Sequence, residues 1–165
     1  MNQTPQAFCG LEGDYDEALF EKRYRPYLSG SPVKLFTEGA CHVFAVALHR
    51  HFDYPLSFFR KDTQGGISHV FCRFPPEDVY AVDAWGFSRF RDREWELGNL
   101  PIASISLDDL VGHFCTKGES ALFGHKVFWE PAYAIAEERI WNLRQFFDGT
   151  ACQRTPDAFV LKVPD

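Results

Sequence analysis

Apolar residues recur at helical spacing in some stretches of this chain and alternate with polar ones in others. Residues 14–27 (DYDEALFEKRYRPY) place Leu19, Phe20 and Tyr24 on one helical face, with Asp14 as cap and Pro26 as the stop. Gly30, Ser31 and Pro32 read as a loop. From Gly39 to Phe52 (GACHVFAVALHRHF), Ala40, Phe44, Ala47 and Leu48 trace one face and Cys41, Ala45 and Leu48 an adjacent one. That spacing predicts a second helix beginning near Cys41, with Gly39 permitting a close-packed approach to it.

Three short strands are expected next, at Leu56–Lys61, Ile67–Phe74 and Val79–Trp85, with a turn at Gln64-Gly65-Gly66 and a hairpin through Pro75-Pro76-Glu77-Asp78. Residues 86–104 read as irregular. Leu107–Cys115 reads as a short helix capped by Ser106, residues 118–126 as a loop, and Pro131–Phe147 as the longest helix, with Pro131 in its first turn. Ile135, Ile140, Leu143 and Phe147 supply its apolar anchors, and Trp129 and Trp141 are expected to complete the core. Phe159–Val163 reads as a last edge strand. Helices, then strands, then helices, without a regular βαβ alternation, indicate an α+β fold.

Length and composition narrow the picture. A chain of 165 residues, 45% apolar and carrying 17 Phe, suits one domain, 1–165, with an aromatic-rich core. A formal net charge of −6 argues against a nucleic-acid partner, because such binding is driven by phosphate neutralisation. The densest basic run, Arg89–Arg93, contains an acid and reads as a solvated loop. The N-terminus has neither a basic region nor an apolar stretch of signal-peptide type, and no apolar run reaches the ~20 residues of a membrane helix. The five cysteines are odd in number, widely spaced and form no CxxC pair. Together these features lead us to expect a cytoplasmic protein with free thiols and no membrane partner. The oligomeric state is open.

Three residues stand out by placement. Cys41, at the start of a helix, would meet unpaired N–H groups and the positive dipole end, which favour a thiolate and can receive an oxyanion. Its bland reading is a small buried apolar side chain. His69 lies mid-strand, sharing a face with Phe71 and Arg73, while Ser68, Val70, Cys72 and Phe74 take the other. A solvent-facing histidine is the bland reading there. Asp83 interrupts an apolar strand, where an unpaired carboxylate would cost several kcal/mol, so a partner is expected. With Pro75-Pro76-Glu77 as a three-residue loop, Phe74 pairs with Asp78 and His69 stands directly opposite Asp83. A four-residue loop would instead set Val70 against Asp83. Jointly the three positions fit a nucleophile, a base and the carboxylate that orients the base.

The strings GACHVFAVAL, SHVFCRF and YAVDAWGF resemble the papain-like and transglutaminase-like cysteine enzyme superfamily over about residues 36–87. The resemblance implies a helix that carries a nucleophilic Cys at its N-terminus, packed on a small antiparallel sheet. It implies Cys41, His69 and Asp83 as a catalytic triad acting through a thioester. No Gln precedes Cys41 in Leu35–Ala40, so a second oxyanion donor must come from elsewhere. Arylamine acetyltransferases of this group share the aspartate of a YxVD strand, although their Arg-Gly segment before the Cys is missing here.

The expected activity is thiol-dependent acyl transfer on an amide of a protein or peptide, as a cysteine peptidase, isopeptidase or glutamine deamidase. A transglutaminase or N-acyltransferase would use the same triad. A non-enzymatic inhibitor or immunity module would keep the fold alone. Trp85 is read as a substrate-facing or shielding side chain, against a plain core role. No metal or cofactor is expected. The rival is a zinc hydrolase using Cys41, His69 and Asp83 with His42 nearby, in which His49 and His51 would be poor co-ligands because they point to different helix faces. His113 and His125 are expected at the surface.

Overall fold

The structure is a computed structural model that describes residues 13–60, 66–74, 80–89, 102–114, 119–150 and 160–163. Its first helical segment comes in three pieces: α1 (Glu17–Leu19), a π-helical turn (Phe20–Tyr24) and α2 (Arg25–Leu28). Asp16 caps it in place of Asp14, its carboxylate accepting the Leu19 N–H at 2.9 Å. Pro26 does not end the helix as its sequence implied. It sits in the first turn of α2, just beyond the wider π-helical turn, where a missing N–H is tolerated.

Pro32 likewise opens a helix rather than closing a loop. This helix, α3 (Pro32–Glu38), is one that the hydrophobic pattern did not announce; Leu35 and Phe36 are its buried side. Helix α4 spans Cys41–Phe52, and the seven consecutive residues from His42 to Leu48 are all buried. Burial on every side marks a central helix rather than a surface one. Asp53 ends it in the left-handed region (φ 58°), donating its N–H to the His49 carbonyl at 2.8 Å.

The strands are β1 (Leu56–Arg60), β2 (Ile67–Arg73), β3 (Tyr80–Asp83), β4 (Gly86–Arg89), β5 (Ile102–Ser104) and β6 (Val160–Lys162). They form one sheet in the order β5-β1-β2-β3-β4-β6, antiparallel at every pairing. The segment expected to be irregular therefore supplies β4 and β5, while residues 90–101 and the basic run beyond Arg89 lie outside the described residues. β6 takes an edge, as the sequence indicated. Helix α5 (Leu107–Phe114), a 3-10 turn (Glu119–Gly124), helix α6 (Lys126–Asn142) and a 3-10 turn (Arg144–Phe146) complete the described elements. The fold is α+β.

Two sequence expectations are corrected in this half. The long helix starts at Lys126, five residues earlier than expected, so Pro131 is internal to it; His125 caps it by accepting the Val127 N–H at Nδ1 (3.1 Å). Trp129 is buried in the core, but Trp141 is 72% exposed and contributes nothing to it. Ser106 does cap α5 as expected: its hydroxyl accepts the Asp109 N–H and donates to the Asp109 carboxylate.

The sheet has two different faces. Leu56, Val70, Cys72, Val82 and Phe87 join the main core with α4, where the Cys72 thiol donates to the Ala45 carbonyl at 3.2 Å. Phe59, Phe71 and Ala81 form a second, smaller cluster against Ile102. Strand alternation puts His69 and Asp83 in phase with this second set. Each Phe or Leu fully buried in either cluster stabilises the fold by about 1.5–3 kcal/mol relative to exposure. Among the described residues, no helix is long and apolar enough to cross a membrane.

Candidate active site

Cys41 is the first residue of α4, and Ala40 before it has no side chain to cap the first turn. Gly39 makes a close approach: a Cβ there would lie 3.0 Å from the Phe123 ring, tighter than an ordinary contact, so the ring would have to give way. The peptide ahead of the thiol is thus pressed against the 3-10 turn Glu119–Gly124.

On the sheet, the ring Nε2 of His69 lies 2.8 Å from Asp83 Oδ2, both side chains being buried. A carboxylate can only accept, so Nε2 carries the proton and Nδ1 is left for the thiol. The other carboxylate oxygen, Oδ1, accepts the Trp85 backbone N–H at 2.9 Å. Asp83 is therefore held from two sides, and it orients the imidazole in turn.

The pairing that produces this contact differs from the expected one. Cys72 faces Val82 and Arg73 faces Ala81, and the Phe74 N–H reaches the Tyr80 carbonyl at 3.1 Å. Five residues rather than three connect Phe74 to its partner. The register is displaced by two, so His69 and Asp83 are diagonal neighbours instead of direct opposites. A two-residue displacement preserves the face on which each side chain lies, and diagonal neighbours on one face remain within reach of long side chains. A displacement by one would have separated them.

Cys41 is half-buried, and the imidazoles of His42 and His69 both act on the ionisation of its thiol. Burial alone would push its pKa up. The hydrogen bonds and charges of the two imidazoles outweigh burial and bring it down to about 5. His69 is shifted the opposite way: burial opposes its charge, but the hydrogen bonds to Asp83 and Cys41 raise it to about 9. Between those values the pair favours thiolate and imidazolium. Cys72 has no such partners, and burial pushes its pKa far above that of an ordinary thiol.

His42, placed from sequence only near Cys41, is a buried polar residue. It is fully buried, its Nε2 lies 3.0 Å from the Phe123 carbonyl, and its ring stacks on Phe114 at 3.9 Å with an interplanar angle of 14°. The only sign of it in the sequence was an imidazole inside an apolar helical run. Trp85 is 38% exposed, with its ring centroid 6.3 Å from that of His69, which removes the plain core reading.

The other histidines are occupied elsewhere. His49 contacts the Tyr54 carbonyl at 2.8 Å and His51 approaches Glu137 at 3.9 Å. His113 is exposed, whereas His125, expected at the surface, is half-buried and caps α6. Among the described residues no group of three or more His, Cys, Asp or Glu side chains is arranged to hold a metal ion. Cys9, Cys115 and Cys152 lie outside the described residues. Compared with known proteins, the chain matches no family model, no curated protein and no solved structure, so its functional reading rests on the geometry of Cys41, His69 and Asp83.

Proposed function

We propose that this protein is a thiol-dependent acyl-transfer enzyme that opens an amide bond of a protein or peptide, with Cys41 as nucleophile, His69 as base and Asp83 as orienter. The observation that carries the reading is the buried 2.8 Å contact between His69 Nε2 and Asp83, which leaves the other ring nitrogen to the Cys41 thiol. In the first half-reaction the thiolate attacks the amide carbonyl carbon, and its oxygen becomes an oxyanion at the first-turn N–H groups of α4. The imidazolium then gives its proton to the departing amine or ammonia, leaving a thioester on Cys41. In the second half-reaction His69 takes a proton from water as its oxygen attacks the thioester. The acid leaves, and the proton returns to the Cys41–His69 pair. Hydrolysis or glutamine deamidation results. An amine in place of water gives transamidation on the same residues. The exposed face of Trp85 beside the imidazole supplies an apolar surface for the substrate chain.

An electrophilic peptide probe that captures nucleophilic thiols tests this directly. Stoichiometric labelling at Cys41, absent in Cys41→Ser and much slower in His69→Ala, is the expected result. Labelling at Cys41 no faster than at free glutathione overturns it and leaves a binding module as the reading of the fold.

A further inference from the structure

The chain carries a formal net charge of −6, yet a cleft in its surface is lined by three cations and a single acid. The cleft has a volume of about 330 Å³. Lys22 and Arg23 line it from the π-helical turn, Pro26 and Tyr27 from α2, and Lys34 and Glu38 from α3. We infer that this cleft is a docking site for an acidic stretch of the substrate polypeptide. The inference rests on the acyl-transfer reading and adds a substrate class to it: amides that lie a few residues from a run of Asp or Glu.

The cations converge from separate elements. Lys22 and Lys34 stand twelve residues apart in sequence and meet only because the helices fold back, so they are not a charge run along one solvated face. Among the described residues Lys22 makes no ion pair, and its neighbour Glu21 is taken by Arg25 at 2.8 Å. Lys34 reaches Glu38 at 3.9 Å with both side chains exposed. Such a surface pair is weak, so an incoming carboxylate displaces Glu38 at little cost. A concave surface dominated by one sign focuses its field and draws in the opposite charge. The volume is that of a small-ligand site, which suits a few side chains rather than a folded domain. Pro26 and the half-buried Tyr27 give the methylene stems of Glu or Asp an apolar wall.

The cleft also lies within reach of the thiol. Glu38 ends α3 and Cys41 follows three residues later, so their Cα atoms are at most about 11 Å apart. A peptide with its amide at Cys41 covers that gap in about four extended residues.

Two electrophilic peptide probes test the inference. They are identical except for a tail of four glutamates or four glutamines, joined through a four-residue Gly-Ser linker. The readout is the ratio of their labelling rates at Cys41. In dilute buffer the glutamate probe should react about tenfold faster, and near-molar sodium chloride should bring the ratio close to one. The double variant Lys22→Glu, Lys34→Glu should bring it to one or below. A second pair with the same charge change outside the cleft, Lys126→Glu with Arg144→Glu, should keep most of the wild-type ratio. An equal fall in that pair is bulk repulsion and overturns the inference.

A wild-type ratio of one, with Cys41 labelled by both probes, overturns the inference and leaves the acyl-transfer reading standing. Failure of both probes to label Cys41 defeats the acyl-transfer reading instead. The cleft is then read from the anisotropy of a rhodamine-labelled tetraglutamate peptide without an electrophile. Saturable binding that the cleft variant loses sustains the docking site, and absence of binding overturns it. A single-stranded oligonucleotide of matched charge that binds more tightly than the peptide overturns the choice of occupant.

Discussion

Cys41 and Cys72 lie against the same helix, yet their surroundings drive them to opposite chemistry. Cys72 packs against the middle of α4 with one backbone carbonyl as hydrogen-bond acceptor, and burial makes its ionisation steeply unfavourable. Cys41 opens that helix between two imidazoles, which reverse the same burial effect and favour the anion. Depth alone, half-buried for Cys41 and full for Cys72, does not account for the contrast. What separates them is whether the neighbouring groups donate to sulfur or accept from it.

The largest expected effect is in direct competition between the two. At pH 6 Cys41 is mostly thiolate and Cys72 almost wholly thiol, so iodoacetamide should label Cys41 at least about 10³-fold faster. Peptide mapping after a timed quench measures it. The sign follows from the shifts: the Cys41 rate rises through about pH 5, well below the range of a free thiol. Comparable labelling of the two sites at pH 6 would erase the contrast. Next is Asp83→Asn, which keeps the shape of the orienter but removes its charge and permits the other tautomer. Turnover should fall on the order of 10²–10⁴-fold, and the alkylation midpoint of Cys41 should rise. Cys72→Ala sharpens the comparison from the other side. It should cost about 1–2 kcal/mol of stability in denaturant titration and leave the Cys41 profile unchanged. The smallest effect belongs to Trp141→Ser at a well-exposed position, where the melting midpoint should correspond to a change within about 0.5 kcal/mol.

Much of the site was legible because its logic is local or depends on parity. A cysteine at the head of a helix is visible from the periodicity of residues 39–52. His69 and Asp83 fall in phase on adjacent strands whether the pairing is offset by zero or by two. The loop length itself was not legible, since nothing in Pro75-Pro76-Glu77-Asp78 states how many residues the hairpin spends turning. Helix α3 went unseen because only Leu35 and Phe36 mark a buried side in seven residues. Strands β4 and β5 are four and three residues long, too short for alternation to stand out. Trp141 misled because an aromatic on a helix is ordinarily core. The surroundings of His42 could not be read: its anchor is a backbone carbonyl 81 residues away, a contact that no periodicity encodes.

The smaller aromatic cluster on the sheet has a consequence for the medium in which the protein works. Phe59 and Phe71 are completely covered, and the Phe71 ring lies parallel to that of His69 at 6.2 Å. Counter-ions are thereby kept at a distance from the imidazole and its carboxylate, and charges so enclosed are screened far less than those on a wet surface. Raising sodium chloride from millimolar to near molar should therefore leave the titration of the His69 imidazole almost where it was.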